Sequence, residues 1–243
     1  MKNTNILVGI TNSGKTKMIF DYLKEIINSG ENFIVNDTKE EYYKTFMPTL
    51  KENGYKTYLI NYKDALNSNG FNPLIVPYKL YKSGNKDLAI DEINNIANEL
   101  FKNDEVMDPF WQNSASDYFK GLTLLLFEIG KEEEINLGSV GMMLLQAENN
   151  KETFDKFKEY IKSLEFTNPI YIFLSGTVFA PVETRGGIVS VLKIELNKYI
   201  SKENLLNLLC QNELDLNNLK EKTAIFVIGN ENTNRLTNIL IDQ

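Results

Sequence analysis

Residues Gly9-Ile10-Thr11-Asn12-Ser13-Gly14-Lys15-Thr16 bring together the groups needed to hold a chain of phosphates. Two glycines let backbone N–H groups converge, and a lysine and a hydroxyl follow at the spacing G-x-x-x-x-G-K-[ST]. In such a loop the amides of Gly9, Thr11, Asn12, Ser13 and Gly14 cradle the phosphates, helped by the dipole of the helix that starts there. Lys15 then reaches the β/γ oxygens, and the Thr16 hydroxyl can ligate Mg²⁺. The expected ligand is ATP or GTP with Mg²⁺.

Two further segments carry groups suited to such a site. Asp37 follows the apolar run Phe33-Ile34-Val35-Asn36, past the C-terminal end of an expected strand, where α/β sheets bind ligands. It either acts near Mg²⁺ or its water, or caps the helix that follows with Glu40 and Glu41 in its first turn; residue types alone favour the cap. Thr184-Arg185-Gly186-Gly187-Ile188 sets a guanidinium before two glycines at an expected helix start. This is either a loop offering a forked cation to a phosphate or a solvated surface arginine. The catalytic candidates are therefore Lys15, Asp37 and Arg185. Asp108-Pro109-Phe110-Trp111 reads as a helix cap with an aromatic anchor.

Composition narrows the chemistry. The chain has no histidine, so carboxylates, Lys, Arg and bound Mg²⁺ must do any that occurs. Its single Cys210 lies in the apolar stretch from Leu205 and excludes an internal disulfide, which fits a cytoplasmic setting. No apolar run approaches the roughly 20 residues of a membrane span, and Met1 leads quickly into a strand instead of a signal peptide. Charge is uneven: residues 1–74 carry nine Lys against eight acids, net +1, whereas 75–243 carry 17 cations against 25 acids, net −8. That balance disfavours a free-standing nucleic-acid binder, although a ring can keep its cations on a few channel loops. Only Arg185 and Arg235 are arginine among 26 cationic residues.

These groups need elements to position them. Asn5–Val8, Phe33–Val35 and Thr57–Ile60 read as strands, alternating with helices over about 15–28 and 39–52, which implies a parallel sheet with helices on both faces. After Asn72-Pro73-Leu74 the pattern turns helical, with helices over 87–101, 111–129, 137–147, 151–164 and 187–199. A buried strand returns at 222–229. The expected division is 1–74 as the first part of a nucleotide-binding domain, 75–215 as an inserted all-α domain, and 216–243 as the resumed nucleotide-binding part.

Taken in order, these segments resemble the type IV secretion coupling proteins, ring-forming ATPases that feed DNA or protein into conjugative channels. The resemblance rests on the phosphate loop 9–16, on Val35-Asn36-Asp37-Thr38-Lys39-Glu40-Glu41 where the family has an Asp-Pro-Lys-Gly-Glu turn, on Phe71-Asn72-Pro73-Leu74, on Asp108-Pro109-Phe110-Trp111 and on Thr184-Arg185-Gly186-Gly187-Ile188. It implies an α/β P-loop NTPase fold, RecA-like, with a large all-α insertion. It also implies ATP and Mg²⁺ as cofactors, a homo-hexamer, DNA or nucleoprotein as cargo, and type IV secretion channel components as partners at the cytoplasmic face of the plasma membrane. Thr38 and Glu40 replace the family's Pro and Gly. The acidic pair that family members carry on a later strand has no counterpart at Gly229-Asn230-Glu231, so a truncated or split domain is expected, inactive alone. A non-enzymatic adaptor whose acidic helical part docks cargo, or another P-loop DNA translocase, is the alternative.

Overall fold

The structure is a computed structural model describing residues 14–102, 109–229 and 233–243, with only the backbone of Lys15. The expected strand at Asn5–Val8, the loop residues Gly9, Thr11, Asn12 and Ser13, and Asp108 and Glu231 lie outside the described residues. In chain order the elements are α1 (Lys15–Ser29), β1 (Phe33–Asn36), α2 (Glu41–Glu52), β2 (Lys56–Asn61), α3 (Ile75–Lys82), α4 (Lys86–Phe101) and α5 (Phe110–Ile129). There follow α6 (Leu137–Ala147), α7 (Lys151–Ser163), α8 (Pro169–Val178), α9 (Val182–Ile200), α10 (Glu203–Cys210), β3 (Thr223–Ile228) and α11 (Asn234–Asp242).

The three strands form a parallel sheet in the order β1-β3-β2. β3 is therefore central, with Ala224 opposite both Phe33 and Thr57. Every residue of β3 is buried, as its unbroken apolar run Ala224-Ile225-Phe226-Val227-Ile228 requires of a strand covered on both faces. Alternation sends Ala224 and Phe226 to one core with Leu23 and Ile27 of α1 and Phe46 and Leu50 of α2. Ile225 and Val227 point the other way, into a second core with Ile60, Phe71, Leu236 of α11 and the helices α3 to α10. The helical stretch thus shares its core with one face of the sheet.

α5 is the axis of that helical part, and from Ala115 to Phe127 only Asp117 and Lys120 escape burial. Arg235, at the start of α11, ties the sheet side to the helices. Its Nη1 donates to Leu100 O at 2.6 Å, at the end of α4, and to Glu195 Oε2 of α9 at 3.1 Å, and its Nη2 donates to Lys102 O. A forked donor is needed to satisfy the last carbonyls of a helix and a carboxylate together.

Periodicity misses α3, α8 and α10. α8 is built from Pro169-Ile170-Tyr171-Ile172-Phe173-Leu174, whose near-continuous apolar run carries no 3.6-residue repeat. Its start is set locally, by Pro169 in the first turn and by Asn168 Oδ1 accepting the Ile170 N–H at 2.9 Å. Cys210 ends α10 half-buried, and burial pushes its thiol pKa up. α9 begins at Val182, not at 187, so Arg185 sits in a helix and not in a loop ahead of one. Pro181 directs the chain into that helix.

Candidate phosphate-binding site

α1 opens without a side-chain cap. Its N-cap Gly14 has φ 86°, offers no side chain to cap the first N–H groups, and is followed by no acid in the first turn. A Cβ there would meet nothing among the described residues, but the left-handed backbone itself favours glycine. The free N–H groups and the positive end of the dipole are left for an anion. Thr16, one residue past Lys15, is exposed.

β1 delivers Asp37 to the C-terminal end of the sheet. The ladder continues one residue beyond the strand, the Asp37 N–H donating to Val227 O at 2.8 Å. The carboxylate is only 1 % exposed. Its Oδ2 accepts the N–H of Tyr43 at 2.8 Å, in the first turn of α2, while Oδ1 has no hydrogen-bond partner among the described residues. The two readings of this residue are therefore not exclusive. One oxygen caps the helix and the other stays uncommitted, and a buried carboxylate oxygen without a partner is costly unless something binds it. Phe20 of α1 packs on Tyr42 of α2 with ring centroids 5.1 Å apart, which fixes the first half of α1 against the turn after Asp37. Burial first, then the nearby Asp37 and Glu41 charges, raise the Tyr42 pKa.

Arg185 sits in a different part of the fold. Its Nε lies 3.5 Å from Glu148 Oε2, and its guanidinium carbon stands 3.5 Å from the centroid of the Phe154 ring. Glu148 Oε1 also accepts the Tyr118 hydroxyl at 3.2 Å. Burial, and secondarily Glu148, hold that phenol pKa well above its usual range, so Tyr118 remains a donor. Arg185 thus links α9 to the end of α6, to α7 and to α5. Two residues on, Gly187 faces Trp111: a Cβ at Gly187 would lie 2.5 Å from Cζ3 of the indole. The two segments with the most specific spacing in the sequence meet there.

A family model described as type IV secretory system conjugative DNA transfer matches residues 3–242. The chain belongs to that family. No curated protein matches it. The turn after Asp37 carries Thr38 and Glu40. Glu40 takes a left-handed conformation, φ 62°, that a glycine would enter without strain. Among the described residues no helix is long and apolar enough to cross a membrane.

The structure packs Phe20 of α1 on Tyr42 near Asp37, and it holds Arg185 with Glu148, Phe154 and Tyr118. Glu148 and Tyr118 were not singled out by sequence reasoning. Neither belongs to a motif, and only the fold puts residues 118, 148, 154 and 185 side by side.

Proposed function

We propose that this conjugative DNA transfer protein binds ATP with Mg²⁺ at the start of α1, and that within a complete ring it helps to drive DNA or nucleoprotein through a secretion channel. One observation carries the nucleotide reading: a full G-x-x-x-x-G-K-[ST] segment runs into a helix whose N-cap is a left-handed glycine with no side-chain cap. The amides of Gly9, Thr11, Asn12, Ser13 and Gly14 would hold the phosphates. Lys15 would neutralise the β/γ oxygens, the Thr16 hydroxyl would serve Mg²⁺, and the unpartnered Asp37 Oδ1 would face the ion or its water. Mg²⁺ supplies charge neutralisation of the phosphates when bound. The RecA-like arrangement, the homo-hexamer and the cytoplasmic face as location belong to the same proposal and rest on family membership.

A catalytic part for Arg185, reaching a neighbour's phosphates, is the costliest element of this proposal. It would break the contact with Glu148 and uncover Phe154. The geometry supports a structural clamp more directly.

The test is titration of wild type and Lys15→Ala with a fluorescent ATP analogue. Removing the point charge at the β/γ phosphates should weaken binding at least about tenfold while far-UV circular dichroism stays unchanged. Equal affinities would remove the phosphate-loop assignment.

A further inference from the structure

We propose that Lys63 is a positioning residue for Asp37, holding the turn from Asp37 to Glu40 in place by a tether from the end of β2. Proline fixes φ, and glycine enters the left-handed region freely. Thr38 does not fix φ, and Glu40 is strained at φ 62°, so the turn depends on its ties. Three ties hold it. Asp37 Oδ2 accepts the Tyr43 N–H at 2.8 Å, Asp37 O accepts the Glu40 N–H at 3.1 Å, and Thr38 O accepts Lys63 Nζ at 2.5 Å.

The first two arise inside the turn and are available to any sequence with an aspartate there. The third comes from 25 residues away, across the sheet from the end of β2. Its root is fixed as well. Asn61 is 6 % exposed, and its Oδ1 accepts the N–H groups of both Lys63 and Asp64 at 3.1 Å. A charged donor on a fixed root, bonded to a carbonyl one residue past Asp37, restrains that carboxylate through the backbone. The ammonium also spends one bond neutralising the carbonyl end of the turn, on the side of the sheet where the strands end and ligands of parallel sheets bind.

The inference rests on the nucleotide reading for its consequence, but not for its geometry, so the experiment has two arms on the full chain. In the first, hydrogen exchange of the Tyr43 amide is followed without nucleotide. Lys63→Ala should exchange about fivefold faster there and Lys63→Arg at the wild-type rate, as loss of one net hydrogen bond predicts. In the second, affinity for a fluorescent ATP analogue is compared in Mg²⁺ and in EDTA. Lys63→Ala should lose about fivefold of the Mg²⁺-dependent gain and keep its EDTA affinity, and adding Thr38→Pro with Glu40→Gly should restore that gain. Failure of wild type to bind the analogue would sink the nucleotide reading and leave the first arm to decide the tether. Unchanged Tyr43 exchange in Lys63→Ala would overturn the tether, and a Mg²⁺-dependent gain equal to wild type in that variant would overturn its effect on Asp37.

Discussion

Trp111 fills the space that a side chain at Gly187 would need, its indole Cζ3 lying 2.5 Å from where that Cβ would stand. The contact joins the starts of α5 and α9, 76 positions apart in sequence, and makes the second glycine of Thr184-Arg185-Gly186-Gly187 a matter of packing. Gly187→Ala should therefore destabilise the fold by about 1–3 kcal/mol through overpacking. Gly186 has nothing within 4 Å of its Cβ position among the described residues, so Gly186→Ala should gain up to about 1 kcal/mol from helix propensity. Urea unfolding of the two variants checks this, and a common sign would show that the indole yields.

Glu40 bears strain that a glycine would avoid. Glu40→Gly should raise stability by about 1 kcal/mol, the cost of holding an L side chain at positive φ. The Lys44 ion pair at 2.8 Å that is lost with it is exposed on the lysine side and screened. A lower melting temperature for Glu40→Gly would mean that this pair, and not the backbone, dominates.

Asp37→Asn keeps an acceptor for the Tyr43 N–H and removes a buried charge whose Oδ1 is unpartnered. Stability should change by less than about 1 kcal/mol, or rise. The Mg²⁺-dependent part of ATP affinity should fall, because the uncommitted oxygen would no longer be anionic. Isothermal titration with and without Mg²⁺ separates the two effects. A loss of stability with an unchanged Mg²⁺ increment would leave Asp37 as a helix cap only.

For Arg185, the stack on Phe154 and the contact with Glu148 predict that Arg185→Lys loses about 1 kcal/mol of stability without touching ATP affinity. Thermal unfolding of the isolated chain reads the first. In an assembled ring, a fall in turnover with no change in melting temperature would instead support the proposed contact with a neighbour's phosphates.

Much of this was legible from residue order. Gly14-Lys15-Thr16 ahead of an amphipathic stretch specifies a helix start, because the periodicity and the glycine are local facts. The run Ala224 to Ile228 specifies a buried strand for the same reason, and α4, α5, α6 and α7 follow from their spacing of apolar residues. What tertiary structure decided is of another kind. That β3 lies between β1 and β2 depends on which edge each strand finds, information no local pattern carries. That Arg185 is clamped and not offered on a loop depends on Glu148 and Phe154 arriving from α6 and α7. Asp37 shows the division within a single side chain. Its place after an apolar strand announced both a cap and a ligand-facing acid. Only the packed sheet could assign one oxygen to Tyr43 and leave the other bare, because burial and partner are properties of neighbours brought from elsewhere in the chain.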